Sequence, residues 1–168
     1  DISNYNKLFV GSKEEFTFLS SLFNFSSNSW NTFFDSSVTV DSILFKVFSG
    51  DSLIESNTNL NLYFSTDSIF DESSSLVSGL GNLVFDDWIG LGIPSVEVVI
   101  DTSDTVSTFQ ETVLKWDIGG LVETIIDTST LYRTFSLSLP SGSGSFFELY
   151  SREYSSGSLD PKIEVYYR

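Results

Sequence analysis

The chain has 168 residues, a formal net charge of −15 at pH 7, and no His or Cys. Without His it lacks the commonest general base and transition-metal ligand, and without Cys it lacks thiol nucleophiles and zinc–thiolate sites. The negative charge disfavours binding to nucleic acid, anionic membranes and polyanionic glycans. Compatible partners are neutral polysaccharides, cations such as calcium, and other protein surfaces.

Length and composition predict one all-β domain over residues 1–168, since a chain of this length fits a single domain with a two-layer core. Forty per cent of the residues are apolar and 16 are Phe, whereas Ala, the strongest helix former, is absent. β-Branched and aromatic residues fit a pleated, half-buried surface. We therefore predict a two-sheet antiparallel β-sandwich, jelly-roll-like, with one short helical turn.

Alternating apolar and polar residues predict the strands in chain order. The helical turn is expected at Gly120–Asp127, where apolar residues recur at i, i+1, i+4 and i+5. Ser141–Ser145 and Ser155–Ser158 predict turns between consecutive antiparallel strands, and the irregular stretch Ser65–Pro94 predicts loops. The candidate strands are Glu15–Phe25, Thr39–Ser49, Leu60–Phe64, Val96–Ile100, Thr112–Ile118, Arg133–Leu139, Phe146–Ser151 and Lys162–Tyr167.

The last third carries three motifs: Trp116-Asp117-Ile118 with Gly120-Leu121-Val122, then Tyr150-Ser151-Arg152-Glu153, then Pro161-Lys162-Ile163-Glu164-Val165-Tyr166-Tyr167. They resemble the segments that close the disaggregatase-related, or DNRLRE-domain, family. Gly119 stands where the family segment has Thr, and the Arg-containing signature that names the family is absent. The resemblance implies a jelly-roll-like sandwich of exported, cell-surface or polysaccharide-associated proteins, some of which act as carbohydrate-binding modules.

The motif residues are expected to be structural. Asp117 is placed to accept backbone N–H bonds at the start of the helical turn. Glu153 is expected in an ion pair or hydrogen bond, and Pro161 at the start of a strand, where a missing N–H is harmless. A carboxylate pair would suffice for glycoside hydrolysis, but no such pair can be recognised in the sequence, so we predict no enzyme.

Acidic clusters offer a possible calcium site, because calcium takes six to eight oxygen ligands from loops. No cluster matches an EF-hand loop, and the alternative, which the sequence favours slightly, is a solvated acidic surface. The candidate ligands are Asp67, Asp71, Glu72, Asp86, Asp87, Asp101 and Asp104.

Aromatic residues in turn-like contexts offer sugar-stacking platforms. Trp30, Trp88 and Tyr154 are the candidates, against the alternative that they are buried as such residues usually are. Asn24-Phe25-Ser26 is an N-glycosylation sequon, although it falls inside a predicted strand.

Two functional interpretations remain open. The first is a structural subunit of an extracellular or cell-surface assembly or filament, built from copies of itself. In this interpretation residues Asp1–Val10 add a strand to a neighbouring copy, or else form the first strand of their own sheet. The second is a carbohydrate-binding module of a surface enzyme or adhesin. The chain starts at Asp1 without a Met or signal peptide, as a processed exported protein or an excised domain would.

Overall fold

The computed structural model describes residues 7–11, 21–26, 38–50, 60–66, 87–101, 109–127, 132–140, 146–151 and 159–168. These residues form ten strands, a 3-10 helix η1 (Gly119–Leu121) and a short helix α1 (Val122–Ile126). The strands are Lys7–Gly11 (β1), Ser21–Ser26 (β2), Val40–Gly50 (β3), Asn61–Ser65 (β4), Ile89–Gly92 (β5), Ser95–Asp101 (β6), Phe109–Asp117 (β7), Tyr132–Ser138 (β8), Phe146–Tyr150 (β9) and Lys162–Tyr167 (β10).

The strands make two four-stranded antiparallel sheets and a ribbon. The front sheet has the order β10-β3-β7-β6, the back sheet β2-β8-β4-β5, and the ribbon joins β1 to β9. The Ser49 hydroxyl at the end of β3 donates to the Glu148 carbonyl of β9 at 2.7 Å, so the ribbon lies against the end of the front sheet.

The pairing is nested along the chain: β1 with β9, β2 with β8, β3 with β7, and β4 with β5. Each pair lies inside the previous one in sequence, which is the order that wraps an antiparallel chain into the two sheets of a jelly roll. The predicted all-β, two-sheet, jelly-roll-like sandwich with one short helical turn is confirmed.

Alternating residues of the two sheets meet in one core. Phe45 of the front sheet stacks on Phe135 of the back sheet, with ring centroids 4.9 Å apart. Trp116 and Phe64 extend this aromatic centre at 5.8 Å from Phe45 and 5.0 Å from Phe135. All four side chains are at most 2% exposed, so each contributes on the order of 2–3 kcal/mol through burial.

The helical turn is built as predicted, with η1 and α1 covering Gly119–Ile126. The Asp117 carboxylate accepts the Gly119 N–H at 2.9 Å, which confirms its predicted structural role. Arg133 of β8 is fully buried, and its Nε and Nη2 donate to the carbonyls of Ile125 and Asp127 at 2.5 and 2.7 Å. The guanidinium therefore binds the carbonyl end of α1 to the back sheet.

Two local predictions are wrong. The Ser/Gly-rich segments do not join consecutive paired strands, because β8 pairs with β2 and β4, β9 with β1, and β10 with β3. Turn chemistry encodes a chain reversal but not which strand the chain meets next. Within the expected loop region Ser65–Pro94 the structure has strand β5, which pairs with β4 across a register shift.

Candidate interaction surfaces

The large apolar side chains that the described part of the chain exposes all lie on edge strands or on the segment that links two of them. They are Ile89, Ile93, Val96, Tyr166 and Tyr167. β5 is the outer strand of the back sheet, while β6 and β10 are the two outer strands of the front sheet. Scattered exposed apolar residues need no explanation, but a set that lies on the outermost of the described strands indicates contact surfaces.

The β5–β6 corner is the larger of the two surfaces. Val96 lies opposite the buried Leu114, and Ile89 lies opposite the buried Phe64, so both are on the core-facing sides of their sheets. They are nevertheless 49% (Ile89) and 47% (Val96) exposed, and Ile93 between the strands is 61% exposed. The core therefore opens to the outside along this corner.

The corner is also uncharged. Residues 88–96 contain no Asp, Glu, Lys or Arg, in a chain with 23 acidic residues. Gly92 has φ +76°, a left-handed conformation that favours glycine, and there the chain leaves β5 towards the other sheet. The Gly92 carbonyl accepts the indole N–H of Trp116 at 3.0 Å, which fixes the corner to the front sheet.

The second surface is the outer edge of β10, the last strand of the front sheet within the described ranges. Tyr166 and Tyr167 are 48% and 55% exposed. The Tyr166 hydroxyl donates to Glu164 at 2.8 Å, and the same carboxylate is paired with Lys46 of β3. The tyrosine ring is thus held at the edge by a hydrogen bond instead of turning freely in solvent.

A row of lysines crosses the outer face of the front sheet. Lys162 is opposite Lys46, and Lys46 is opposite Lys115, so three of the five lysines in the chain are directly adjacent. Like charges in that position repel. The repulsion is relieved by ion pairs of Lys46 with Glu164 and of Lys115 with Glu97, and Lys162 lies 4.7 Å above the Phe48 ring.

These ion pairs change the pKa values of charged side chains on the outer face of the front sheet. Burial would raise the pKa of Glu164, but hydrogen bonds from Lys46 and Tyr166 outweigh it and lower that pKa from its ordinary value. Burial would lower the pKa of Lys46, yet its hydrogen bond and charge interaction with Glu164 raise it. The hydrogen bond from Lys115 lowers the pKa of Glu97. Both carboxylates are therefore held in their charged form.

The predicted ligand residues are only partly within the described structure. Trp88 is half-buried just before β5, and Asp87 beside it is exposed. Asp101 ends β6, at the edge of the front sheet. Within the described ranges no three acidic side chains are grouped closely enough to hold a metal ion. Asp67, Asp71, Glu72, Asp86 and Asp104 lie outside those ranges, so the calcium site stays a prediction.

The other predicted residues also lie only partly within the described ranges. Trp30 and Tyr154 lie outside the described residues. Asn24 lies within β2, opposite Thr134 of β8, and its glycosylation stays a prediction. Of the proposed N-terminal donor segment, residues 7–10 belong to β1 and pair with β9 of the same chain, while residues 1–6 lie outside the described ranges.

Sequence reasoning missed both edge surfaces. Ile89, Ile93 and Val96 have the composition of core residues, and only the strand order reveals that they lie at an edge. One signal was available, since residues 88–96 are an uncharged run in a strongly acidic chain.

None of the described helices is long and apolar enough to cross a membrane. A scan against protein-family models found no match, and a search of curated proteins found no significant similarity. The resemblance of the C-terminal motifs to the disaggregatase-related family accordingly stays a prediction.

Proposed function

We propose that this domain is a non-catalytic structural subunit that assembles with other copies through the edges of its sandwich. The observation that carries the proposal is the confinement of exposed large apolar side chains to the edge strands β5, β6 and β10 and the β5–β6 link. The resemblance to exported and cell-surface sandwiches supports an extracellular setting for the assembly.

An edge strand presents a row of unpaired N–H and C=O groups, and proteins that stay monomeric usually block such edges with charges, prolines or short strands. The β5–β6 corner has a short strand and Pro94, but it combines exposed aliphatic side chains with a lack of charge. Two copies, each carrying a net charge of −15, meet least repulsion where neither is charged. The corner therefore suits contact with another copy better than contact with solvent.

The contact differs from the N-terminal strand addition expected from the sequence. Since Lys7–Gly11 already pairs with β9 of its own chain, a donor strand from this segment would first have to leave that pairing. Edge-to-edge assembly needs no such rearrangement, because β6 and β10 each have one strand partner in the described structure.

The test is the mass of the native chain by light scattering over a wide concentration range, with electron microscopy of the largest species. We expect concentration-dependent oligomers. Ile93→Asp places a charge in the corner and should shift the distribution towards monomer, whereas Gly120→Asp, at an exposed position in η1 where an added side chain meets no atom within 4 Å, should not. A native chain that stays monomeric at millimolar concentration would overturn the proposal.

A second candidate function is the binding of a neutral polysaccharide on the outer face of the front sheet. Tyr166 favours it, because an exposed ring fixed beside a carboxylate and an ammonium group offers both stacking and hydrogen bonds to sugar hydroxyls. Affinity electrophoresis in neutral glycans tests it. Retardation that is lost in Tyr166→Ala but kept in Tyr63→Ala would support sugar binding, and unretarded native protein would exclude it for the glycans used.

A further inference from the structure

We infer that copies of this chain join head to tail, with β6 of one copy pairing antiparallel with β10 of the next. The inference rests on the proposed function and specifies its geometry. It follows from the strand directions, the charges and the register of β6 and β10, the two outer strands of the front sheet among the residues that the structure describes.

Strand direction permits this union without turning the second copy over. Every neighbouring pair in the order β10-β3-β7-β6 is antiparallel, so β10 and β6 of one copy run in opposite directions. A second copy placed in the same orientation beyond β6 therefore presents its β10 antiparallel to that strand. The result is one continuous antiparallel sheet. Because such a contact is heterologous, it extends indefinitely unless the rotation between copies closes a ring.

The two edges carry complementary charge. β6 contains two acidic residues, Glu97 and Asp101, and no basic residue. Residues 162–168, which are β10 and the residue after it, contain two basic residues and one acidic residue. Pairing β6 with a second β6 would instead bring four acidic residues together on two seven-residue strands, and like charges on paired strands are destabilising.

One register places opposite charges face to face and avoids pairs of like charge. If Asp101 of β6 faces Lys162 of the next copy, all seven residues of β6 overlap residues 162–168, and Glu97 faces Tyr166. A shift of two residues in one direction puts Glu97 opposite Glu164, and in the other direction puts Asp101 opposite Glu164. A shift of one residue exchanges the faces of the strand and would turn the core side outward.

The same register buries exposed apolar groups. It places Val96, which is 47% exposed, opposite Tyr167, which is 55% exposed. Val96 shares its sheet face with the buried Leu114, and Tyr167 pairs with Val40, which packs against the core. The contact thus continues the inner layer of the sandwich from one copy to the next.

Cysteine cross-linking tests the register, because the chain has no native Cys. The variants are Glu97→Cys and Tyr166→Cys, whose side chains lie on the outer face and are exposed. Directly opposite residues on antiparallel strands have Cα atoms about 4.5–5.5 Å apart, within the range of a disulfide. Within one copy the two positions are separated by three strand spacings across the sheet, roughly 14 Å, and by six residues along the strands, roughly 20 Å, which prevents an internal bond.

Mixing the two single variants under mild oxidation should give a covalent heterodimer, while neither variant alone should cross-link. The double variant should give a ladder of covalent oligomers. Dimers from Glu97→Cys alone would overturn the inference in favour of β6–β6 pairing. An assembling native chain whose mixed variants fail to cross-link would overturn the inference but leave the proposed function intact. A native chain that is monomeric in light scattering would overturn both.

Charge reversal provides a second measurement with its own control. Asp101→Lys places Lys opposite Lys162 and should raise the concentration at which oligomers form by about fivefold. Lys162→Asp should have a similar effect, and the double variant should restore assembly towards the native level. If the double variant is no better than either single one, the proposed pairing of these residues is wrong.

Discussion

The indole N–H of Trp116 donates to the carbonyl of Gly92 at 3.0 Å, and this bond joins the two sheets at the corner where the core is open. Trp116 is 2% exposed in β7 of the front sheet, and Gly92 ends β5 at the edge of the back sheet. β5 has four residues and pairs with β4 through an irregular register, so its own ladder holds it weakly. The tryptophan thus positions the edge that we propose as a contact surface.

Trp116→Phe should lower stability by about 2 kcal/mol, because it removes a hydrogen bond and part of a buried ring. It should also increase hydrogen exchange of the β5 amides more than that of the β3 amides. Urea unfolding and exchange mass spectrometry measure the two effects. A uniform increase in exchange across both strands would mean that Trp116 supports the whole core instead of positioning the corner.

Arg133 makes a second bridge, between α1 and the next strand of the chain, β8. Its guanidinium is fully buried and donates to two carbonyls at the end of α1. Burial lowers its pKa, and the nearby Asp127 charge opposes that effect.

Arg133→Met should cost about 3 kcal/mol, since it leaves the Ile125 carbonyl without this donor in a buried site and the Asp127 carbonyl without it in a partly buried one. Arg133→Lys should rescue little, because one ammonium cannot reproduce the planar fork of the guanidinium. The exposed Arg168→Lys is the matched control and should be near neutral. Equal melting temperatures for Arg133→Met and native protein would contradict the bridging role.

The sequence predicts a strand well where apolar and polar residues alternate within the strand itself. Lys162–Tyr167 was predicted with the observed bounds, and the predicted strand Thr39–Ser49 is displaced by one residue. β5 was missed because Ile89-Gly90-Leu91-Gly92 has two glycines in four residues, and its extended form depends on pairing with β4. The intrinsic strand propensity of these four residues gives no information about their pairing with β4.

The two edge surfaces were less predictable from the sequence than the strands. Whether Val96 is buried or exposed depends on its strand lying at the edge of the front sheet, and strand order is a property of the complete fold. The lysine row arises in the same way, from the register that aligns β10, β3 and β7. Turn-forming residues between strands did not identify these neighbours, because jelly-roll pairing joins segments that are far apart in sequence.

Two buried serines should respond oppositely to removal of the hydroxyl. Ser49 and Ser136 are both 0% exposed. The Ser49 hydroxyl donates to the Glu148 carbonyl, whereas the Ser136 hydroxyl has no hydrogen-bond partner in the described structure. Ser49→Ala should therefore lower stability by about 1 kcal/mol, and Ser136→Ala should be neutral or stabilising. Thermal unfolding compares them directly. An equal loss in both variants would show that the Ser136 hydroxyl is satisfied.

The final prediction concerns the ion pair between Lys46 and Glu164. Although burial opposes it, hydrogen bonding from Lys46 and Tyr166 lowers the pKa of Glu164 below its ordinary value of 4.5. A carboxyl group whose pKa is lower in the folded state stabilises the fold above pH 4.5, and the contribution is lost as pH falls through the folded-state pKa. Lys46, with its pKa raised above 10.5, loses its contribution as pH rises beyond that value.

Glu164→Gln should thus be less stable than the native chain at pH 7, and the difference should shrink as the pH is lowered below 4.5. Glu97→Gln is the matched control, because its pair with Lys115 has a carboxylate side chain that is 53% exposed and screened by solvent. Urea titrations from pH 2.5 to 7, at a concentration where the chain is monomeric, measure both variants. A constant difference across this range for Glu164→Gln would mean that the carboxylate contributes by packing and not by its charge.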